Sequence, residues 1–265
     1  MPWRSRPRKG NPMIYDIQKA SMWKRISAFL FDAIILCVVA VLFAWLLSVA
    51  LGYDRYNSAL TEAYARYSEE YQIDLRMGYS EYEALSPEET EHLNAAMDAL
   101  AADDNANYAY NILIQLTLVI TSLGILLAFV VMEFTIPMAL GNGQTLGKKI
   151  FGLGLMHTDG VQVNGRTMFI RAILGKYAIE TMAPLLVVFM IFFGMVGLAG
   201  TLALLGLAVV QAVMLAATRN NTLIHDALAT TVAVDLASQM IFRDRAAMIA
   251  YKEKAHREQV AQQAS

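Results

Sequence analysis

Residues 181–218 read TMAPLLVVFMIFFGMVGLAGTLALLGLAVVQAVMLAAT, 38 residues without one charge. As a single straight helix they would extend roughly 57 Å, against a hydrocarbon core of about 30 Å. Gly194, Gly197 and Gly200 stand in the middle at a spacing of three and can supply a tight turn. The reading is two helices in a hairpin, about 177–196 and 199–218. The alternative is one tilted span followed by an interfacial helix. Two more runs have the length of a span. Ile26 to Tyr53 carries only Asp32, and Ile112 to Met132 carries no charge. The first is too long, and lies too far from the start, for a cleavable signal peptide. The expectation is an all-α membrane protein with four spans: 26–53, 111–140 and two within 178–218.

Composition points the same way. Hydrophobic residues make up 57% and charged residues 17% of 265, where soluble domains average about 45–50% and about 25%. A soluble enzyme, a nucleic-acid binder and a disordered chain are all disfavoured. The single cysteine, Cys37, lies in an apolar run. It excludes an intrachain disulfide, a CxxC pair and a cysteine-based zinc site.

Charge sets the orientation. Lys and Arg number 7 in residues 1–25, 3 in 54–110, 5 in 141–177 and 6 in 219–265. The positive-inside rule puts the three richer segments in the cytoplasm, which makes both termini cytoplasmic and the number of spans even. Segment 54–110 holds 13 of the 23 acids and is expected outside. Within it, Leu60, Ala63, Tyr64, Tyr67 and Tyr71 recur at helical spacing. Ser86-Pro87-Glu88-Glu89 reads as a capping box with proline at the first helical position. Two amphipathic helices, packed together or lying on the outer leaflet, are expected; a docking surface is the alternative.

Segment 141–177 is glycine-rich and then basic: Gly141, Gly143, Thr145, Gly147, Lys148, Lys149. The phosphate-loop spacing fails, because no Ser or Thr follows the lysine and no βαβ unit surrounds it. Gly143 and Gly147 are expected to permit turns, with Lys148 and Lys149 facing lipid phosphates or buried acids. Residues 150–156 and 161–163 alternate around Thr158-Asp159-Gly160, which reads as a small cytoplasmic β-hairpin. Thr230 to Val234 is β-branched and could add a strand. The tail from 243 reads as a solvated helix.

Charges in or beside the spans carry the rest of the information. Asp32 follows Arg25 by seven residues on one helix face, about 10 Å deeper. A mid-span aspartate costs about 2.5–3.5 kcal/mol to insert, so it needs a partner. Glu133 ends the second span, and His225-Asp226 closely follows the fourth. In a structural reading Asp32 and Asp226 pair with Arg25 or the lysines and lock the helix ends. In an ion-handling reading Asp32 and Glu133 take up and release a proton or cation. His92, His157, His225 and His256 show no metal-ligand spacing. His225 and Asp226, as helix neighbours, diverge by about 100°, which argues against a catalytic or zinc role.

At these residues the sequence resembles the RDD family of membrane proteins. The matching pieces are Arg25 to Asp32 (RISAFLFD), Gly143 to Leu153 (GQTLGKKIFGL), Asp159-Gly160, Arg171, and Thr222 to Asp226 (TLIHD). They cover about 20–53 and 111–236, within a domain of about 20–236. The resemblance places the name-giving triad at Arg25, Asp32 and Asp226. Residues 54–110 are longer than the family's first loop. Ala229 and Thr230 stand where an Ala-Gly-Thr run is common, so a strand-opening glycine is missing. The resemblance implies a multi-pass cell-membrane protein that transports a small solute or ion, with cation/proton exchange among the linked activities. The alternative is a membrane-embedded scaffold or assembly subunit without transport. No enzyme activity, cofactor, metal or nucleic-acid partner is expected. The bilayer is the obligatory partner, with a homodimer expected for a transporter and a membrane-protein partner for a scaffold.

Overall fold

The structure is a computed structural model that describes residue 17 and residues 20–218 and 220–264. Most of the expected basic N-terminus, 1–25, lies outside the described residues. In chain order the elements are α1 (Met22–Ala50), α2 (Tyr53–Glu70), α3 (Tyr79–Glu83), α4 (Pro87–Ala102), α5 (Asp104–Leu140), α6 (Leu146–Ile150), β1 (Leu153–His157), α7 (Gly165–Phe192), α8 (Gly197–Ala217), α9 (Ile224–Leu228), β2 (Thr231–Asp235) and α10 (Arg245–Ala264). Helices α1, α5, α7 and α8 are long and apolar enough to cross a membrane. Between 0 and 22% of their most apolar stretches is buried inside the protein, so their hydrophobic side chains face outward. Helices apolar on all sides and this little covered need lipid around them.

The hairpin of the third and fourth spans is present. Its turn uses Gly194 at φ +70° and Gly197 at φ +42°, a region that glycine enters without Cβ clash. The third span starts earlier than expected, at Gly165 rather than near 177. Asn164 caps it, its Oδ1 accepting from Thr167 N–H at 3.0 Å. Arg171 and Lys176, read in the sequence as loop charges, lie within the helix and are neutralised by neighbouring elements.

Two compact units emerge, one formed by Ala40–Ile125 and the other by the described residues before and after it. In the first, α2, α4 and the start of α5 pack together through Ala63, Leu100 and Ala106, with Leu60, Tyr64, Tyr67 and Leu75 against them. Helix α4 begins with the capping box read from the sequence. Ser86 N–H donates to Glu89 Oε2 at 2.8 Å, and Glu89 N–H donates to Ser86 Oγ at 3.3 Å.

In the second unit the driest place is the small sheet. Leu153, Leu155, Met156, Val232 and Val234 are at most 1% exposed. Strands β1 and β2 are antiparallel, with Leu153 opposite Asp235 and His157 opposite Thr231. The β-element expected here therefore exists, but its ladder joins segments about 75 residues apart. Residues 161–163, the expected second strand, contribute only isolated bridges, Gln162 to Met156 and Val161 to Phe242, beside the turn at Gly160. The run 231–235 is β-branched and buried over four residues, so it offers more apolar pairing than Val161-Gln162-Val163. Thr230, at the position of the missing glycine, opens β2 at φ +51°. Lys24 Nζ donates to Asp235 Oδ2 at 2.7 Å, tying the start of α1 to the sheet.

Candidate functional site

Glu133 and the charges of α7 sit on segments wound more widely than an α-helix. Val130–Thr135 in α5 and Ile170–Met182 in α7 are π-helical, hydrogen-bonded five residues apart. Such winding is rare and frequent at functional sites. It has a direct consequence in α7. In an α-helix, Arg171 and Glu180, nine residues apart, would point about 180° from each other. With five-residue bonds, nine residues make about two turns, and both side chains reach α9.

Arg171 Nη1 donates to Asp226 Oδ1 and, at 2.9 Å, to Thr231 Oγ1. Thr231 Oγ1 in turn donates to Asp226 Oδ1 at 3.3 Å. Arg25 Nη2 lies 3.6 Å from Asp226 Oδ2. Burial alone would raise the Asp226 carboxyl, but Arg171, His225 and Arg25 outweigh it and hold it well below the usual carboxylate range. Glu180 takes the neighbouring residue: His225 Nδ1 is 2.7 Å from Oε2, and His225 N–H donates to Oε1 at 3.0 Å. The two adjacent residues of α9 do diverge, and each meets its own partner on α7. The approach is close because residue 175 is glycine; a Cβ there would lie 2.6 Å from the Cβ of His225.

Lys176 Nζ donates to Glu133 Oε1 at 2.5 Å, joining the two π-wound stretches. Asp32 is answered differently from expectation. Among the described residues it forms no ion pair with Arg25; it receives the start of α6. Gly147 N–H donates to Asp32 Oδ1 at 2.7 Å, and Thr145 Oγ1 donates to Oδ2. Unpaired N–H groups at a helix start favour an anion. Gly147 is there for close approach rather than for a turn, since a Cβ would meet Ala28 O at 2.4 Å. Gly143, at φ +59°, does make a turn. Thr145 also accepts from Lys148, at 3.3 Å from N–H and 3.2 Å from Nζ. Burial pushes the Lys148 ammonium down to about 8, with Glu133 and Asp32 pulling up and Lys176 and Arg171 pushing down. Lys149 is exposed.

Residues 19–230 match the RDD family. The chain belongs to the RDD family. No curated protein and no solved structure matches it. In this RDD protein the three residues that the resemblance singled out divide: Arg25 and Asp226 meet, while Asp32 holds the glycine-rich loop. Arg171, read as a secondary position, is the direct partner of Asp226. Lys176, Glu180, Thr231 and Gln211, whose Oε1 accepts from Ile224 N–H at 3.4 Å, were missed. Glu180 left one signal, an acid inside the segment assigned to the third span. Its α-helical phase relative to Arg171 concealed the connection.

Proposed function

We propose that this RDD protein is a transporter that exchanges a small cation for a proton, with the buried charge cluster as its coupling site. The cluster holds four cations (Arg25, Lys148, Arg171, Lys176) and four carboxylates (Asp32, Glu133, Glu180, Asp226) on α1, α5, α6, α7 and α9. The observation that carries the reading is Lys148, a partly buried ammonium held at about 8 beside Glu133 and Asp32. Loss of its proton leaves the cluster with one excess negative charge. In a low-dielectric setting that charge attracts a cation, so proton release and cation uptake are linked. On this reading the protein is not an enzyme.

The test is flux. Purified protein in liposomes with an internal pH dye should move protons when Na⁺ is added outside. Lys148→Met should abolish the movement and keep the fold. No ion movement in wild type would refute the reading. A second reading, a scaffold subunit, is favoured by the pairing of Asp226 with two arginines and a threonine, which resembles a structural lock. Co-purification of a stoichiometric membrane partner without flux would support it.

The positive-inside asymmetry supports cytoplasmic termini in the cell membrane, with 54–110 outside. In a Cys37→Ser background, an impermeant reagent should label a cysteine at Ser58 or Ser80, both exposed, and miss one at Thr158. A homodimer is the assembly we expect for a transporter of four spans; a monomer by mass in native-like discs would count against it.

A further inference from the structure

The adjacent lysines of α6 go to different surroundings. Lys148 turns inward, its Nζ donating to Thr145 Oγ1 at 3.2 Å beside Glu133 and Asp32. Lys149 is exposed, and the apolar Ile150 after it is 63% exposed. Gly147 fixes the level at which they lie, because it packs on α1 so closely that a Cβ would meet Ala28 O at 2.4 Å. Ala28 stands six residues after Met22, where α1 begins, about 9 Å along the helix axis. Helix α6 therefore rests against the first turns of a spanning helix, at the edge of the bilayer.

The start of α7 repeats the arrangement. Arg166 is exposed, and Phe169, one turn on, is 48% exposed. Here α5 fixes the level. A Cβ on Gly165 would lie 3.9 Å from Met138 Cε, and Met138 is in the last turn of the span that ends at Leu140. The chain crosses in α1 and returns in α5, so both places are on one side of the membrane. Lys24, Arg25, Arg171 and Lys176 are each paired with a carboxylate. Among the described residues no acid pairs with Lys149 or Arg166. A long cationic side chain at the end of a span lays its stem along apolar surface and puts its charge among the headgroups. The anion available at that level is the lipid phosphate.

We propose that Lys149 and Arg166 bind the phosphates of anionic phospholipids, and that lipid held by Lys149 clamps α6 onto α1. Ile150 and Phe169 face the acyl chains beside the two headgroups. The clamp follows from the size of α6, which has five residues and no core of its own. Lys149 is next to Lys148 and two residues from Gly147, whose N–H donates to Asp32 Oδ1 at 2.7 Å. An anchor on the outer side of so short a helix restrains all three. Lipid binding here requires no ion transport, and it is the same whichever side of the membrane α6 faces.

Native mass spectrometry of the full chain in mixed micelles, titrated with phosphatidylglycerol or phosphatidylcholine, reads the binding. Phosphatidylglycerol should bind more tightly. Lys149→Gln and Arg166→Gln should each weaken it about fivefold, the worth of one basic side chain at an anionic membrane surface, and leave phosphatidylcholine unchanged. Lys254→Gln removes the same charge from an exposed position on α10 and should behave as wild type. Amide exchange over residues 146–150 reads the clamp in lipid discs. Replacing part of the phosphatidylcholine by phosphatidylglycerol should slow it about threefold, the effect of modest local stabilisation. Lys149→Gln should remove that slowing, and Arg166→Gln should keep it. Both side chains are exposed, so the variants should melt like wild type in phosphatidylcholine discs; a lower melting temperature would reveal a protein partner and overturn the proposal. Equal affinity for the two lipids overturns it, as does an equal loss in Lys254→Gln. Displacement of the lipid by millimolar inorganic phosphate would show a site for a free anion and overturn it too. Exchange that ignores phosphatidylglycerol would overturn the clamp.

Discussion

Replacing Asp226 by asparagine removes the one acid between two arginines. The Arg171 and Asp226 side chains are 4% and 1% exposed, so neither can turn to water when the other is lost. Breaking a buried pair of this kind costs about 3–5 kcal/mol, because a charge stays buried without its partner. Arg25 is more open, at 14% side-chain exposure and 3.6 Å from the acid. Arg25→Gln should therefore cost less, about 1–2 kcal/mol, between an exposed ion pair and a fully buried one. Arg171→Gln should match Asp226→Asn, and combining the two should recover about 1–3 kcal/mol relative to the sum, because the residues are coupled. The assay is unfolding by SDS in mixed micelles, followed by circular dichroism at pH 7. That pH is safe by sign. The folded carboxyl lies below its ordinary value of 3.8, so its contribution is complete above about 4 and is lost only as pH falls further. A loss under about 1 kcal/mol for Asp226→Asn, or equal losses for Arg25→Gln and Arg171→Gln, would refute the assignment of Arg171 as the principal partner.

Gly147→Ala puts a methyl 2.4 Å from Ala28 O; it should cost about 1–3 kcal/mol by overpacking and show as a lower melting temperature. Thr230→Gly should stabilise by about 0.5–1 kcal/mol, since a left-handed residue with a Cβ costs about 1–2 kcal/mol and glycine returns part of that through unfolded-state entropy. An unchanged or lower melting temperature would show that Thr230 is not strained. Lys148 gives a pH test of the same sign as Asp226, in an alkaline window instead of an acid one. Its folded value of about 8 lies below the ordinary 10.5, so the folded state holds fewer protons in that window and stability should rise from pH 8 towards 10.5. Lys148→Met should flatten that rise, and a wild-type curve flat from pH 8 to 10 would contradict the placement of Lys148.

The membrane class, the number of spans and the family were legible in the chain because they rest on local properties. An uncharged run of 38 residues can satisfy its backbone in lipid only as helix. The glycines at 194 and 197 divide it wherever the rest of the protein lies. The capping box at Ser86 and the motif residues Arg25, Asp32 and Asp226 are similarly visible one segment at a time. Partner choice is a different kind of quantity. Arg25 and Asp32 share a face of α1, yet Asp32 receives the start of α6 and Arg25 reaches α9. The second strand of the sheet came from residue 231 rather than 161, because burial of both segments against common neighbours outweighed the shorter loop. The π winding of α7 hid Glu180 most completely. A helical phase of 100° per residue assigns Glu180 to the face opposite Arg171, whereas the wider winding, in contact with α5 and α9, brings the two to one face.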